Sequence, residues 1–449
     1  MATDIERAFT AISGKKSLLT SLYNYVNGPQ PLRYSTERLK DAFDDIKVHF
    51  EINWCSVIVS SVNDRLELTG FDVQKDKKAS TWLSGQFEAL QILGESQKVH
   101  KAALGYTQGF VIVWKNAAGE IEFYYNDPRL CEVFYDPNSP KKKVFAAKWF
   151  EVPGENAQEI LLYYPDRLEH WRATVGKDGI VSGYGKFVKV SEEINAYGVI
   201  PVFEFFTDGE ITGVTTLQDA VNKVFSDMMV AGEFGAFVQR YIISQADPGD
   251  LKSGASVTWW IPAGDSSGQG SAVGQFAPTP MAPYLEAMDR LASAMFVITH
   301  TPKHYLMSTG ATPSGEALIA MEAPLTKKVD WYKKRFETSW KEIAKFILQL
   351  GDYTVDISGI IATWKRSEST QPYTEAQTQQ VMVNTGMPLT AVLRRSGWSE
   401  TEIKALLDDI QKEKEAKQTL AQAVLDSLRN KTAQGNPDPN PPPDNTGGL

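Results

Sequence analysis

Cysteine is scarce: Cys55 and Cys131 are the only two in 449 residues. Two thiols cannot build a disulfide framework, and a reducing compartment fits that scarcity. Long apolar runs are missing too. None reaches the roughly 18 residues that a membrane span needs. The opening MATDIERAFTAISGKK has no apolar core of the signal-peptide kind. The expectation is a soluble protein made and used in the cytoplasm, or in a particle assembled there. Positive charge is in deficit, with 46 Lys and Arg against 55 Asp and Glu for a net charge of −9. Proteins that grip DNA usually show a basic face. The balance argues against gripping, but not against DNA passing nearby.

Catalytic constellations are sparse as well. The five histidines are dispersed, and only His300 and His304 have helical spacing, with Pro302 between them. No zinc-type spacing occurs. Gly264-Asp265-Ser266-Ser267-Gly268 fits the letters of a nucleophile elbow. That motif needs a strand before it and a helix after it, and here a Gly/Ser-rich stretch follows. Ser13-Gly14-Lys15-Lys16-Ser17 lacks the first glycine and the preceding strand of a phosphate loop. Lys141-Lys142-Lys143 reads as a solvated turn. No cofactor, no metal and no enzymatic activity are expected.

What the chain does have is mass for a core, with 42% hydrophobic residues, and 11 Trp, which suit either subunit contacts or a large interior. Leu18, Leu19, Leu22 and Tyr25 share a helical face that stops at Asn27-Gly28-Pro29. A second helix is expected from Ser35 to Phe50. Residues 53–72 carry β-branched runs such as Cys55-Ser56-Val57-Ile58-Val59, and Trp82–Leu104 reads as helix. Phe110–Trp114 and Ile121–Tyr125 flank a turn at residues 116–119, and strand-rich sequence continues to about 206. The class is α+β with antiparallel pairing.

Residues 215–243 form the most regular stretch. Leu217, Val224, Ala231 and Val238 repeat every seven, as do Val221, Met228, Gly235 and Ile242. The repeat suits a helix–helix seam or one long core helix. Asp219, Asp227 and Glu233 lie off it. Residues 245–283 are Gly-, Ser- and Pro-rich, with Val257–Ile261 as the convincing strand, and Tyr284–Ile298 is helical again. Helix, small module and returning helix describe a protruding stalk. After a break at Thr299–Pro313, a long helix is expected over Ser314–Leu350, capped by Thr312 and kinked or broken near Pro324. A strand at Thr354–Ile357 and helices over Thr374–Asn384, Pro388–Ser396 and Ser399–Leu428 follow, with Ser399 and Glu402 as a capping box. The tail from 431 is Pro/Asn/Asp-rich and expected to be disordered.

Several segments, in order, resemble the portal proteins of tailed phages, the SPP1-type group. They are Leu22–Tyr34, Asn53–Leu66, Ala103–Tyr106, Val133–Pro137, Asn195–Val202, Pro313–Leu318, and Thr385–Pro388 through Gly397–Ser399. The resemblance implies a portal fold with an α/β wing, helical stem, small β clip and α-helical crown. It implies a wing at 1–214, stem helices at 215–243 and 284–300, and a clip at 244–283. A tunnel loop follows at 301–313, with a long wing helix and strand at 314–372. The crown is 373–430, before a free tail at 431–449. It implies a homo-oligomer of twelve at one capsid vertex of the virion, through which double-stranded DNA enters and leaves. Large terminase, capsid or scaffolding protein and a head–tail adaptor are the implied partners, with no membrane. The DNA-facing loop would present Leu306, Met307, Ser308, Thr309 and Gly310; the clip would offer Trp259 and Trp260 for docking. If the lumen shares the chain's negative sign, Asp219, Asp227 and Glu233 would keep DNA off the wall. Another virion subunit (capsid or scaffold) is the second reading, and a hydrolase using Ser266 the third.

Overall fold

The computed structural model describes residues 2–30, 51–116, 118–176, 181, 183–236, 240–243, 272–305, 314–368, 372–396, 398 and 400–433. The chain divides into two units, residues 1–369 and 370–449. The expected helix 35–50, the Trp259/Trp260 strand, Leu306–Gly310, Val238, Thr312, Ser399 and residues 434–449 of the tail lie outside the described residues, whereas residues 431–433, expected to be disordered, continue the last helix.

Helix α1 spans Asp4–Asn27. Thr3 caps it by accepting from Glu6 N, and Asp4 and Glu6 sit at its positive end. Gly28 ends it at φ 70°, a conformation that suits glycine. Its stripe serves two cores. Ile5, Ala8 and Ile12 cover one sheet, while Leu19, Leu22, Tyr25 and Val26 enter the central core. Leu18 falls on the flank of that stripe and is exposed, so it does not share the buried face as expected.

The β-branched run at 55–59 is helical. Helix α2 covers Trp54–Asn63, with Asn53 Oδ1 accepting from Ser56 N at 2.9 Å. Cys55, Ile58, Val59 and Val62 are buried at helical spacing, and that burial overrides local β preference. Strand β1 (Leu68–Val73) pairs antiparallel with the distant β12 (Ile360–Trp364). Residues 82–104 divide into α3 (Lys77–Ala89) and α4 (Ile92–Tyr106), because Gln91 turns left-handed at φ 50°.

The expected hairpin is present as β2 (Gln108–Lys115) and β3 (Ile121–Asn126), in register from Phe110↔Asn126 to Lys115↔Ile121. Strand β9 (Val202–Phe206) joins the other edge of β2. A five-stranded antiparallel meander runs through β4 (Cys131–Asp136), β5 (Ser139–Glu151), β6 (Ala157–Tyr163), β7 (Arg167–Thr174) and β8 (Val188–Ile194). The three lysines at 141–143 therefore lie on β5, not in a turn.

Helix α5 (Thr215–Ala236) is followed by β10 (Arg240–Ile243), β11 (Ala272–Gln275) and α6 (Ala282–Thr299). The seven-residue repeat outruns the helix: Ile242 lies on β10, where a period of 3.6 no longer applies. Helix α7 runs Gly315–Leu350, continuous through Pro324 rather than broken there. Ser314 caps it by accepting from Ala317 N, in place of Thr312. Beyond Pro324 it buries Leu325, Val329, Tyr332, Phe336, Trp340, Ile343 and Ile347, a helical stripe along the central core. Thr354–Ile357 is not a strand. Asp356 accepts from both the amide and hydroxyl of Ser358, a local turn that delays extended structure to Ile360.

In the second unit, α8 (Pro372–Asn384), α9 (Leu389–Arg395) and α10 (Glu400–Ala433) match the expected helices. Gln379 Nε2 donates to Ser396 Oγ at 2.9 Å, joining the first two.

Candidate functional site

Helices α5 and α6 form an antiparallel arm. The ideal Cβ of Gly213, before α5, lies 3.9 Å from Ile298 near the end of α6, and that of Gly235 lies 3.7 Å from Pro278 before α6. Strands β10 and β11 pair antiparallel beyond the helices, from Arg240↔Gln275 to Ile243↔Ala272. The sequence repeat supplies α5, and α6 adds Met288, Ala292, Met295 and Phe296 toward the core.

Within one chain the seam of α5 is not its most buried face. Val221 is fully buried, but Leu217, Val224, Met228, Ala231 and Gly235 are half-buried. The buried positions are mostly polar: Gln218, Asp219, Asn222 and Ser226. A lone core helix would show the reverse, since apolar groups gain by leaving water and polar groups lose.

Three polar anchors fix the base of the arm. In the first, Gln218 Oε1 accepts from Trp54 N at 3.1 Å and Cys55 N at 3.3 Å, satisfying donors at the start of α2. Its Nε2 donates to Ile52 O. Asn222 accepts from Ile52 N at 3.1 Å and donates to Gln30 Oε1 at 2.6 Å. Tyr25 donates to Asp219 at 2.7 Å. Burial, with Asp219 adding a smaller push, raises the Cys55 thiol to about 12. Asp219 is thus 2% exposed and occupied, not available to repel DNA. Asp227 pairs with Lys223 one turn earlier. The Glu233 side chain lies outside the described residues.

In the second anchor, Lys328 on α7 binds both feet of the arm. Its ammonium is 2.6 Å from Glu210 Oε2, just before α5, and donates to Thr299 O at the end of α6. A cation at a helix C-terminus also meets the negative end of the dipole. Tyr332 donates to Glu210 Oε1 at 2.6 Å. Burial first, and Glu210 second, push the Tyr332 phenol well above its ordinary range.

The third anchor flanks residues 306–313. Arg65 donates to Tyr305 Oη at 2.6 Å, Tyr305 donates to Glu322 Oε1 at 3.1 Å, and Arg65 lies 3.3 Å from Glu322 Oε2. His304 Nε2 is 3.5 Å from the same carboxylate. Burial leads in raising the Tyr305 pKa, opposed by Arg65 and reinforced by Glu322. Both flanks of residues 306–313 are thereby tied to the turn that follows α2.

Sequence reading found the arm but none of these anchors. Their partners lie far apart along the chain. The one available signal is the polar trio 218, 219 and 222 clustered in the first turns of the helix. The spacing of His300 and His304 produces no shared site: His300 closes α6 at φ 54°, whereas His304 faces Glu322. Among the described residues no group of His, Cys, Asp and Glu is arranged to hold a metal, and no helix is long and apolar enough to cross a membrane.

The chain belongs to the family described as "Phage portal protein, SPP1 Gp6-like", whose model matches residues 15–420. Members of that family are virion components. The chain is 23% identical over 365 residues to the portal protein of Mycobacterium phage D29, covering 72% of this chain and 70% of that one. It is 23% identical over 408 residues to the portal protein of Mycobacterium phage L5, covering 82% and 78%.

Proposed function

We propose that copies of this chain close into a ring at one capsid vertex, forming the channel by which double-stranded DNA is packaged and ejected. The ring has twelve subunits. Residues 1–214 and 314–372 build the wing, and 215–243 with 284–300 the stem. Residues 244–283 form the clip, 301–313 the tunnel loop, 373–430 the crown and 431–449 a tail. The large terminase and later the head–tail adaptor dock at the clip, through Trp259 and Trp260. Scaffolding or major capsid protein surrounds the wing.

The observation that carries this reading is the α5–α6 arm in a chain of the portal family. Its seam residues are half-buried in one chain, so a neighbour's arm can complete their burial. Met229, Leu285, Val297 and Ile298 add exposed apolar surface to the same two helices. Closing a ring from copies requires such head-to-tail contacts. The channel itself needs no ATPase. DNA slides best where phosphate contacts are few, and the net charge of −9 suits that.

Negative-stain imaging of the purified full chain tests the assembly. Rings with a central hole are expected. A monomer at every concentration tried would contradict it.

A further inference from the structure

A cavity of about 340 Å³ opens beside β5, β9 and α7, away from the arm anchors. Its floor is apolar, with Ile200, Phe203 and Phe346. Three lysines line it against one glutamate: Lys141, Lys143 and Lys345 against Glu342. Lys141 and Lys143 both reach the cavity from the irregular start of β5, where the register with β4 shifts. Lys143 is already engaged. It lies 3.1 Å from Glu342, donates to Val202 O at 3.3 Å, and sits 4.6 Å from the Phe203 ring centroid. Among the described residues Glu342 is the one acid in the lining, and Lys143 pairs with it. Lys141 and Lys345 remain at the exposed rim. Asp356, within electrostatic reach of Lys345, gives both carboxylate oxygens to Ser358.

We infer that this cavity docks a peptide segment of a partner protein in which carboxylates flank a bulky apolar side chain. The apolar residue packs over the floor made by Ile200, Phe203 and Phe346, whose two rings stand 5.8 Å apart, and the carboxylates meet Lys141 and Lys345. Charge complementarity selects the occupant: the site is a net-positive patch in a chain whose net charge is −9. Concavity with an apolar floor favours a peptide over duplex DNA, whose phosphates call for rows of cations on an extended surface. The inference does not depend on the channel reading.

The test uses the full chain and a fluorescein-labelled peptide with two glutamates on each side of a Leu-Phe pair, followed by fluorescence anisotropy. Saturable binding is expected, weakening with salt. K141E/K345E, at exposed positions, should weaken it at least about tenfold, while K141R/K345R retains it. A peptide with lysines in place of the glutamates should not bind. Any of three results overturns the inference: no saturable binding, the same affinity in K141E/K345E, or equal affinity for a peptide lacking the Leu-Phe pair. Displacement by short duplex DNA at equal concentration would assign the site to nucleic acid instead and would overturn it too.

Discussion

Arg65 forms an ion pair with Glu322, 3.3 Å away beyond residues 306–313, and donates to Tyr305 just before them at 2.6 Å. Arg65 lies in the turn just after α2, whereas Tyr305 precedes residues 306–313 and Glu322 follows them. One side chain at the end of α2 therefore meets both flanks at once. The side chains are 19% and 12% exposed, so the pair is only lightly screened by water.

Arg65→Met should loosen the loop more than the fold. The variant leaves Glu322 with Tyr305 and His304 as partners, and a loss of about 1–3 kcal/mol is expected. Hydrogen exchange should rise at 303–305 and 314–321, with α4 and β2 unchanged. Uniform exchange across the chain would show that the pair merely adds global stability.

Lys328→Met should be the costlier change. Glu210 is 5% exposed at its side chain and would lose its cation. About 3–5 kcal/mol is expected for stranding such a charge. Tyr332→Phe removes a neutral donor to the same carboxylate and should cost about 1–2 kcal/mol. Urea denaturation at fixed protein concentration gives both values. Equal losses would contradict the ranking.

His100 should make stability depend on pH. The ring is fully buried, stacked on Phe336 with centroids 5.0 Å apart, and its Nε2 accepts from the Trp340 indole at 2.9 Å. Burial lowers its pKa from 6.5 to about 3. The folded state thus holds it neutral, while the unfolded imidazole takes a proton near pH 6.5. Its contribution is complete above that value and is lost as pH falls from 6.5 toward about 3. Between pH 6 and 4 the slope should approach about 1.4 kcal/mol per pH unit from this group. Unfolding at several pH values should show that His100→Gln removes that component. An unchanged slope in the variant would contradict it.

Gly109→Ala should destabilise strongly. A Cβ there would stand 2.6 Å from the Val99 carbonyl, where α4 crosses β2. Backbone must shift, at a cost of about 2 kcal/mol or more. Gly119→Ala provides the contrast: it meets nothing within 4 Å, and its φ of 83° makes any cost one of backbone strain alone. A thermal melt compares the two. Wild-type stability in Gly109→Ala would contradict the close approach.

Local pattern made much of this fold legible. The hairpin at 108–126, the arm helices and the long helix from 315 follow from periodicity and turn chemistry. The α2 region was misread because Val57, Ile58 and Val59 favour strands, although the buried set at 55, 58, 59 and 62 has helical spacing. Charge on a helix normally faces water, and by that rule Asp219 belongs on a solvated or lumen face. Its actual partner, Tyr25, is 194 residues away. The same holds for Arg65 with Glu322 and Glu210 with Lys328. Such pairs are set by tertiary packing, which no local window contains. The lysine run at 141–143 becomes informative only in the fold, where two of its members line one cavity.

The channel reading is tested most directly by photocrosslinking in packaged heads. A photoreactive amino acid placed at Met307, and separately at Lys142 on the wing sheet, should give DNA adducts at Met307 and none at Lys142. Adducts at Lys142 with none at Met307 would contradict it.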